Sequence, residues 1–337
     1  MSAIETLTQL LAGRRKASAI GPGAWEGIIS VARAEALLAT LAHRLEGAEV
    51  PPPVAALFAD QRAAAAVARA QALWEAEMAR RAFAGVVVEF VLLKGTAYAA
   101  AGLSCAEGRQ IGDLDILVPS HEVGRAENEL LEAGWEWVKA DPYDDAYYRE
   151  HMHELPPLIH KARDRMIDVH HTILPRTHRV TPKPLMLVAD AVTTDSGFAV
   201  LCPTDMVCHC AAHLLADGDL QGGLRNLWDF HCLTRDFAAA DPDFWPRLDE
   251  RAAHHGLKSA VRRAARLARD VYGAKLPAAW DGQAAMDGWF RRRLLARDDW
   301  GRPTHLLLQQ AFYIRSHWLR MPPLMLSRHL WTKWRRR

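Results

Sequence analysis

Two aspartates one residue apart stand inside the apolar run GDLDILVP, and they restrict what this 337-residue chain can fold into. Leu114, Ile116, Leu117 and Val118 argue for a buried strand. Asp113 and Asp115 are poor strand formers, and a buried carboxylate is costly unless something pairs with it. In a strand, residues i and i+2 point to one face, so the two carboxylates project together, about 7 Å apart at Cα for a rise of roughly 3.3 Å per residue. Held that close, they repel unless a proton or a cation lies between them. Oxygen ligands at this spacing suit a hard divalent cation such as Mg²⁺, which takes one or two carboxylates plus substrate phosphates. Asp168, in RMIDVHHTI, interrupts a second apolar strand and is the third candidate. Taken alone, D-x-D is equally the pattern of a strand end with two solvated aspartates, so the surrounding segments have to decide.

Those segments divide the chain into three zones. Residues 1–84 read as helical: Ser2 is placed to cap a first helix, AWEGIISVARAEALLATLAHRL has helical apolar spacing, and an alanine-rich stretch follows PPPVAALF after a proline start. Residues 85–202 change character. GVVVEFVLL is short and β-branched, DLDILV follows a glycine-containing loop, HEVGRAENELLEAG reads as a helix stopped by Gly134, and WEWVK reads as a strand. PPLIHKARDRMIDVHHTILP reads as two strands around a turn at RDR, without the favoured Asn-Gly chemistry. From residue 203 to 337 the pattern is helical again, with Thr204 or Asp205 as the expected cap of PTDMVCHCAAHLLAD. The expectation is an α+β protein: a small mixed sheet between N- and C-terminal helical regions.

Upstream of the paired aspartates, VVVEFVLLKGTAYAA reads as a strand, a Lys-Gly-Thr turn and a helix. Gly95 permits close backbone approach, and amides at a helix start bind phosphate. This order of elements resembles the nucleotidyltransferase superfamily of DNA polymerase β, and within it a bacterial branch of uncharacterised nucleotidyltransferase-family proteins. The resemblance rests on Leu93, Lys94 and Gly95, then Arg109 four residues before Asp113, Leu114 and Asp115, then Asp168, Val169 and His170. A helix with His209 and His213, followed by Leu224, Arg225 and Asp229, completes it over roughly residues 25 to 320. The turn here is Gly-Thr, where the superfamily usually has Gly-Gly or Gly-Ser.

The resemblance implies a metal-dependent enzyme that moves a nucleoside monophosphate from a nucleoside triphosphate to a hydroxyl and releases pyrophosphate. It implies that Asp113 and Asp115 hold Mg²⁺ or Mn²⁺ bridging the triphosphate, and that Asp168 completes the metal site and helps activate the acceptor hydroxyl. It also implies that Gly95 and Thr96 contact the β- and γ-phosphates. The acceptor is a small molecule, a protein or an RNA end. Within the class, a toxin-like enzyme acting on RNA or a partner protein fits the same motifs. Outside it, a nucleotide-binding scaffold that kept the fold does so too.

Other residues carry a functional and a plain reading side by side. Lys94 and Arg109 either neutralise phosphate or steady the carboxylates as ion-pair partners. His170 shares the strand face of Asp168, and His171 does not. His209 and His213, four apart on a helix, have a spacing that can hold zinc, but Cys202, Cys208 and Cys210 lie without a second CxxC pair and read as buried thiols; the two histidines are candidates to line the cleft. Arg225 and Asp229, also four apart, form either a helical ion pair or part of the cleft. The basic, tryptophan-bearing tail RMPPLMLSRHLWTKWRRR can meet an anionic membrane or nucleic acid, or be a solvated helix end. A net charge of +2 gives no global reason to expect nucleic acid, and five cysteines without a framework spacing point away from a secreted disulfide scaffold. With no signal-peptide pattern and no long uncharged apolar run, the chain reads as cytoplasmic, with no transmembrane segment.

Overall fold

The structure, a computed structural model, describes residues 1–86, 88–139 and 141–321, with all their side chains except those at 144 and 217. Its centre is a mixed sheet of seven strands in the order β3-β4-β5-β2-β1-β7-β6. The strands are β1 (Val91–Leu92), β2 (Leu114–Leu117), β3 (Trp135–Trp137), β4 (Leu158–His160), β5 (Met166–His170), β6 (Val192–Thr193) and β7 (Ala199–Val200). β2 is buried along its whole length and sits between β1, antiparallel to it, and β5, parallel to it. Helices precede and follow the sheet in sequence, and one hydrophobic core cluster runs through residues of all three sequence zones. The fold is therefore the mixed sheet with flanking helices that the sequence pattern predicts.

The first helix, Ala3–Leu11, begins as its sequence dictates, since Ser2 Oγ accepts from the Glu5 amide and the Glu5 carboxylate accepts from the Ser2 amide. The segment AWEGIISVARAEALLATLAHRL forms two helices, Trp25–Ala34 and Leu38–Arg44, because Ala36 takes a left-handed φ of 53° between them. At the break, the buried Glu35 bonds Arg297 Nε at 2.7 Å and accepts the Leu224 amide at 3.2 Å. The alanine-rich stretch is a single helix, Pro52–Ala82, that buries Val54, Phe58, Ala65, Ala72, Ala76 and Ala79 along one stripe.

In the middle zone, the helix Val123–Glu132 ends before Gly134, whose φ of 101° suits only glycine. β4 and β5 form the expected antiparallel pair, and Asp164 supplies the left-handed residue its turn needs. The short strands β6 and β7 and the helices Pro142–His151 and Pro184–Ala189 are additional to the pattern read from the sequence. One cap is corrected. The helix Pro203–Ala211 is capped at Cys202, with Pro203 at its first position, where the missing N–H costs nothing. Asp205 lies inside the helix, and its carboxylate is bound to Arg251 and to His255 Nε2 at 2.8 Å. Among the described residues, no helix is long and apolar enough to cross a membrane. The basic tail, beyond Met321, lies outside the described residues.

Candidate active site

The parallel pairing of β2 with β5 builds the site. Its register sets Asp115 opposite Asp168 and Leu117 opposite His170. Alternation along each strand then places Asp115, Asp168 and His170 on one face, while Leu114, Ile116, Ile167 and Val169 are buried on the other. Asp113, just ahead of β2, is exposed. Carboxylate oxygens of Asp113, Asp115 and Asp168 all lie within 4.8 Å of one another.

Positive charge reaches this cluster from one side. β1 runs into the helix Lys94–Ala100, and Lys94 Nζ lies 2.5 Å from Asp115 Oδ1. His170 Nε2 lies 3.0 Å from the same oxygen. Burial works to raise the Asp115 carboxyl, but Lys94 and His170 outweigh it and hold the group well below the usual carboxylate range. Burial likewise works against the Lys94 ammonium, and Asp115 more than restores it. Lys94 carries a left-handed φ of 48°, a strained conformation of the kind that collects at functional sites.

Asp168 is treated differently. Burial, then the charges of Asp115 and Glu154, push its carboxyl up to about 7. Its Oδ1 is buried without a hydrogen-bond partner. Four carboxylates, at positions 113, 115, 154 and 168, thus meet with one lysine among them, and the imbalance falls on Asp168. An all-oxygen set with an unmatched buried oxygen fits a hard divalent cation.

The remaining sequence-derived candidates separate into two groups. His209 is buried, which drives its imidazole well below the ordinary value, and its next electrostatic neighbours are Lys94, His170 and His213. His209 and His213 therefore approach the carboxylate cluster from the Pro203–Ala211 helix and the wider π-type turn at Ala212–Asp217 that continues it. Cys208 and Cys210 are buried free thiols, and all five cysteines are free. His171 is buried on the other face, where burial lowers its imidazole to about 4.

Arg109 and Arg225 are directed elsewhere. Both bond the buried Asp229, Arg109 through Nη1 and Arg225 through Nε at 3.0 Å. Arg225 also donates to Thr40 Oγ1 at 2.5 Å and to the Cys105 carbonyl at 2.7 Å. Gly95 is small on Arg109's account: a Cβ there would lie 2.7 Å from Arg109 Nε and 3.2 Å from Ile111 Cγ1. Thr96 is buried, and its Oγ1 has no hydrogen-bond partner. Gly95 and Thr96 thus present their side-chain positions to the interior, leaving backbone amides at the first turn of their helix.

Two residues of the site escaped sequence reading. His153 and Glu154, in HMHELPP, join β5 through a bridge between Glu154 and His170. The signal was present as two histidines and a glutamate ahead of a proline pair, but nothing local ties that loop to a strand end sixteen residues later.

A family model described as an uncharacterised nucleotidyltransferase matches residues 22–273. Among curated proteins, none matches the chain.

Proposed function

The chain belongs to that nucleotidyltransferase family, and from this premise we propose that it moves a nucleoside monophosphate from a nucleoside triphosphate to a hydroxyl, with release of pyrophosphate. The observation that carries the reading is the in-register pair Asp115 and Asp168 on parallel strands, with Asp113 beside them. Rigid strands hold catalytic carboxylates more closely than loops do.

In the proposed reaction the acceptor oxygen attacks the α-phosphorus. The new P–O bond forms as the bond to the bridging oxygen breaks, pyrophosphate leaves, and the acceptor proton passes to the Asp168 carboxylate. Asp113, Asp115 and Asp168 would hold a divalent cation, Mg²⁺ or Mn²⁺, which supplies Lewis-acid stabilisation of charge on the phosphates. Lys94, partly open to solvent, meets the triphosphate from the first turn of its helix, where the amides of Gly95 and Thr96 face phosphate oxygens. Arg109, committed to Asp229, is assigned to positioning that helix and not to phosphate. His170 fixes the Asp115 carboxylate, and His209 and His213 line the acceptor side, while Arg225, committed to Asp229, stays in the interior. The proposed acceptor is a hydroxyl of a small molecule, protein or RNA end. Nucleoside triphosphates and five free thiols both suit a cytoplasmic setting.

The test is incubation of the purified chain with each α-labelled nucleoside triphosphate, with Mg²⁺ or Mn²⁺ and a cell extract as acceptor pool. Label transferred to an acceptor supports the reading. Tight nucleotide binding without transfer under any condition would point instead to the nucleotide-binding scaffold.

A further inference from the structure

The loop ahead of β4 sets a second group of ligating side chains beside the aspartates. The Leu155 amide donates to the Val169 carbonyl and the His171 amide to the His153 carbonyl, both at 2.9 Å, so His153 and Glu154 are pinned to β5 by backbone. Ligand atoms of His153, Glu154 and His170 all lie within 4.8 Å of one another. His153 and His170 are buried, their rings 5.2 Å apart.

Three geometric points bear on what this group does. First, Glu154 Oε2 lies 3.5 Å from His153 Nε2 and 3.5 Å from His170 Nδ1. These separations exceed the 2.7–3.2 Å range of N–H···O bonds. They are close to the edge of a coordination tetrahedron, about 3.3–3.4 Å when donors sit roughly 2.0–2.1 Å from zinc. Second, His170 Nε2 faces the acceptor-only carboxylate of Asp115 at 3.0 Å and must carry a proton there. In the neutral ring Nδ1 then presents its lone pair toward Glu154, and Nδ1 is buried without a hydrogen-bond partner. A lone pair facing a carboxylate is repulsive unless positive charge lies between them. Third, a ring bonded to a carboxylate through one nitrogen and free to ligate through the other is the usual outer arrangement of a metal-bound histidine.

We propose that His153, Glu154 and His170 form a second cation site, for a divalent transition ion of the zinc type, joined to Asp115 through the His170 ring. Two imidazoles and a carboxylate favour such an ion, whereas the all-oxygen aspartate cluster favours Mg²⁺. The site does not depend on nucleotide transfer: it stands on its own donor atoms.

The experiment uses the full chain, stripped with a chelator and returned to buffer with millimolar Mg²⁺. Zn²⁺ is titrated by calorimetry, and Co²⁺ is followed by its visible absorption. The expected result is one equivalent of Zn²⁺ that Mg²⁺ does not displace, with a Co²⁺ spectrum of nitrogen and oxygen ligation. Glu154→Gln and His153→Gln should each weaken Zn²⁺ by more than the roughly 10–100-fold that loss of an outer partner costs. Asp113→Asn and Asp168→Asn should retain it. Absence of stoichiometric Zn²⁺ binding overturns the proposal, and so does binding that Asp113→Asn abolishes while Glu154→Gln or His153→Gln leaves it intact. If Glu154→Gln does not fold, the loop variant His153→Gln carries the same decision.

Discussion

Replacing Asp229 by asparagine tests whether one buried anion holds two cations in place behind the active site. Asp229 is 1% exposed and accepts from Arg109 Nη1 and from Arg225 Nε and Nη2. Asparagine keeps the shape and one acceptor oxygen, removes the charge, and turns an amide NH₂ toward guanidinium donors. Arg225, buried, and Arg109, half-buried, are then left without a counter-charge. Removing one partner from a buried ion pair costs about 3–5 kcal/mol. At about 2–4 °C per kcal/mol for domains of 150–250 residues, the apparent melting temperature should fall by roughly 6–20 °C, with this longer chain toward the lower end. Arg109→Met is the contrast, since Asp229 keeps its bonds to Arg225 and the loss should be smaller. Differential scanning calorimetry of wild type and both variants measures the order. If Asp229→Asn melts within about 2 °C of wild type, well under the span expected for an orphaned buried charge, the cluster is not holding the interior together.

Other outcomes follow from the same geometry. Asp168→Asn should leave metal-dependent nucleotide binding largely intact while transfer falls by about a hundredfold or more, whereas Asp113→Asn should weaken the binding itself; calorimetry beside labelled-nucleotide transfer separates the two, and wild-type transfer by Asp168→Asn would refute its role. Gly95→Ala should destabilise, because crowding Arg109 Nε at 2.7 Å costs about 1–3 kcal/mol against a helix-propensity gain of about 1, and an unchanged urea midpoint would show that Arg109 yields freely. Burial works to raise the Asp205 carboxyl, but Arg251 and His255 hold it below the ordinary range. Its contribution is therefore full above the unfolded carboxylate value of about 3.9 and is lost as pH falls through the depressed folded value. Arg251→Met should be less stable at neutral pH, with the gap to wild type narrowing in urea titrations as the pH falls below the unfolded carboxylate value of about 3.9, and a gap independent of pH would refute the linkage.

What could be read from the sequence was the part governed by local cost. Carboxylates inside apolar strands are expensive, so Asp115 and Asp168 stood out with Asp113 beside them; the structure brings the three together, although Asp113 lies exposed just ahead of β2. The Ser2 and Glu5 capping box and the stop at Gly134 were legible for the same reason, since each is a backbone requirement met within a few residues. What required the folded chain was partnership across distance. Arg225 and Asp229 read as a helical pair four residues apart, but nothing near them announced Arg109, which completes the cluster from 120 residues away. Asp205 looked like a cap because it stands near a helix start, and its actual partners, Arg251 and His255, arrive from a later helix. His153 and Glu154 became visible only once their loop was paired with β5.

The parallel register of β2 and β5 also determines which parts of the chain are free to vary. Between the two strands lie residues 118–165, containing a helix, the edge strand β3, a second helix, the loop of Glu154 and β4. Lengthening an exposed turn in that excursion changes closure entropy only slowly, about 0.6 kcal/mol for each doubling of a flexible loop, and leaves Asp115 opposite Asp168. A single residue inserted within β5 itself would turn Asp168 and His170 to the opposite face and dismantle the site at one stroke. The exposed turns of the excursion can therefore change length without moving the carboxylates, while the spacing from Met166 to His170 cannot.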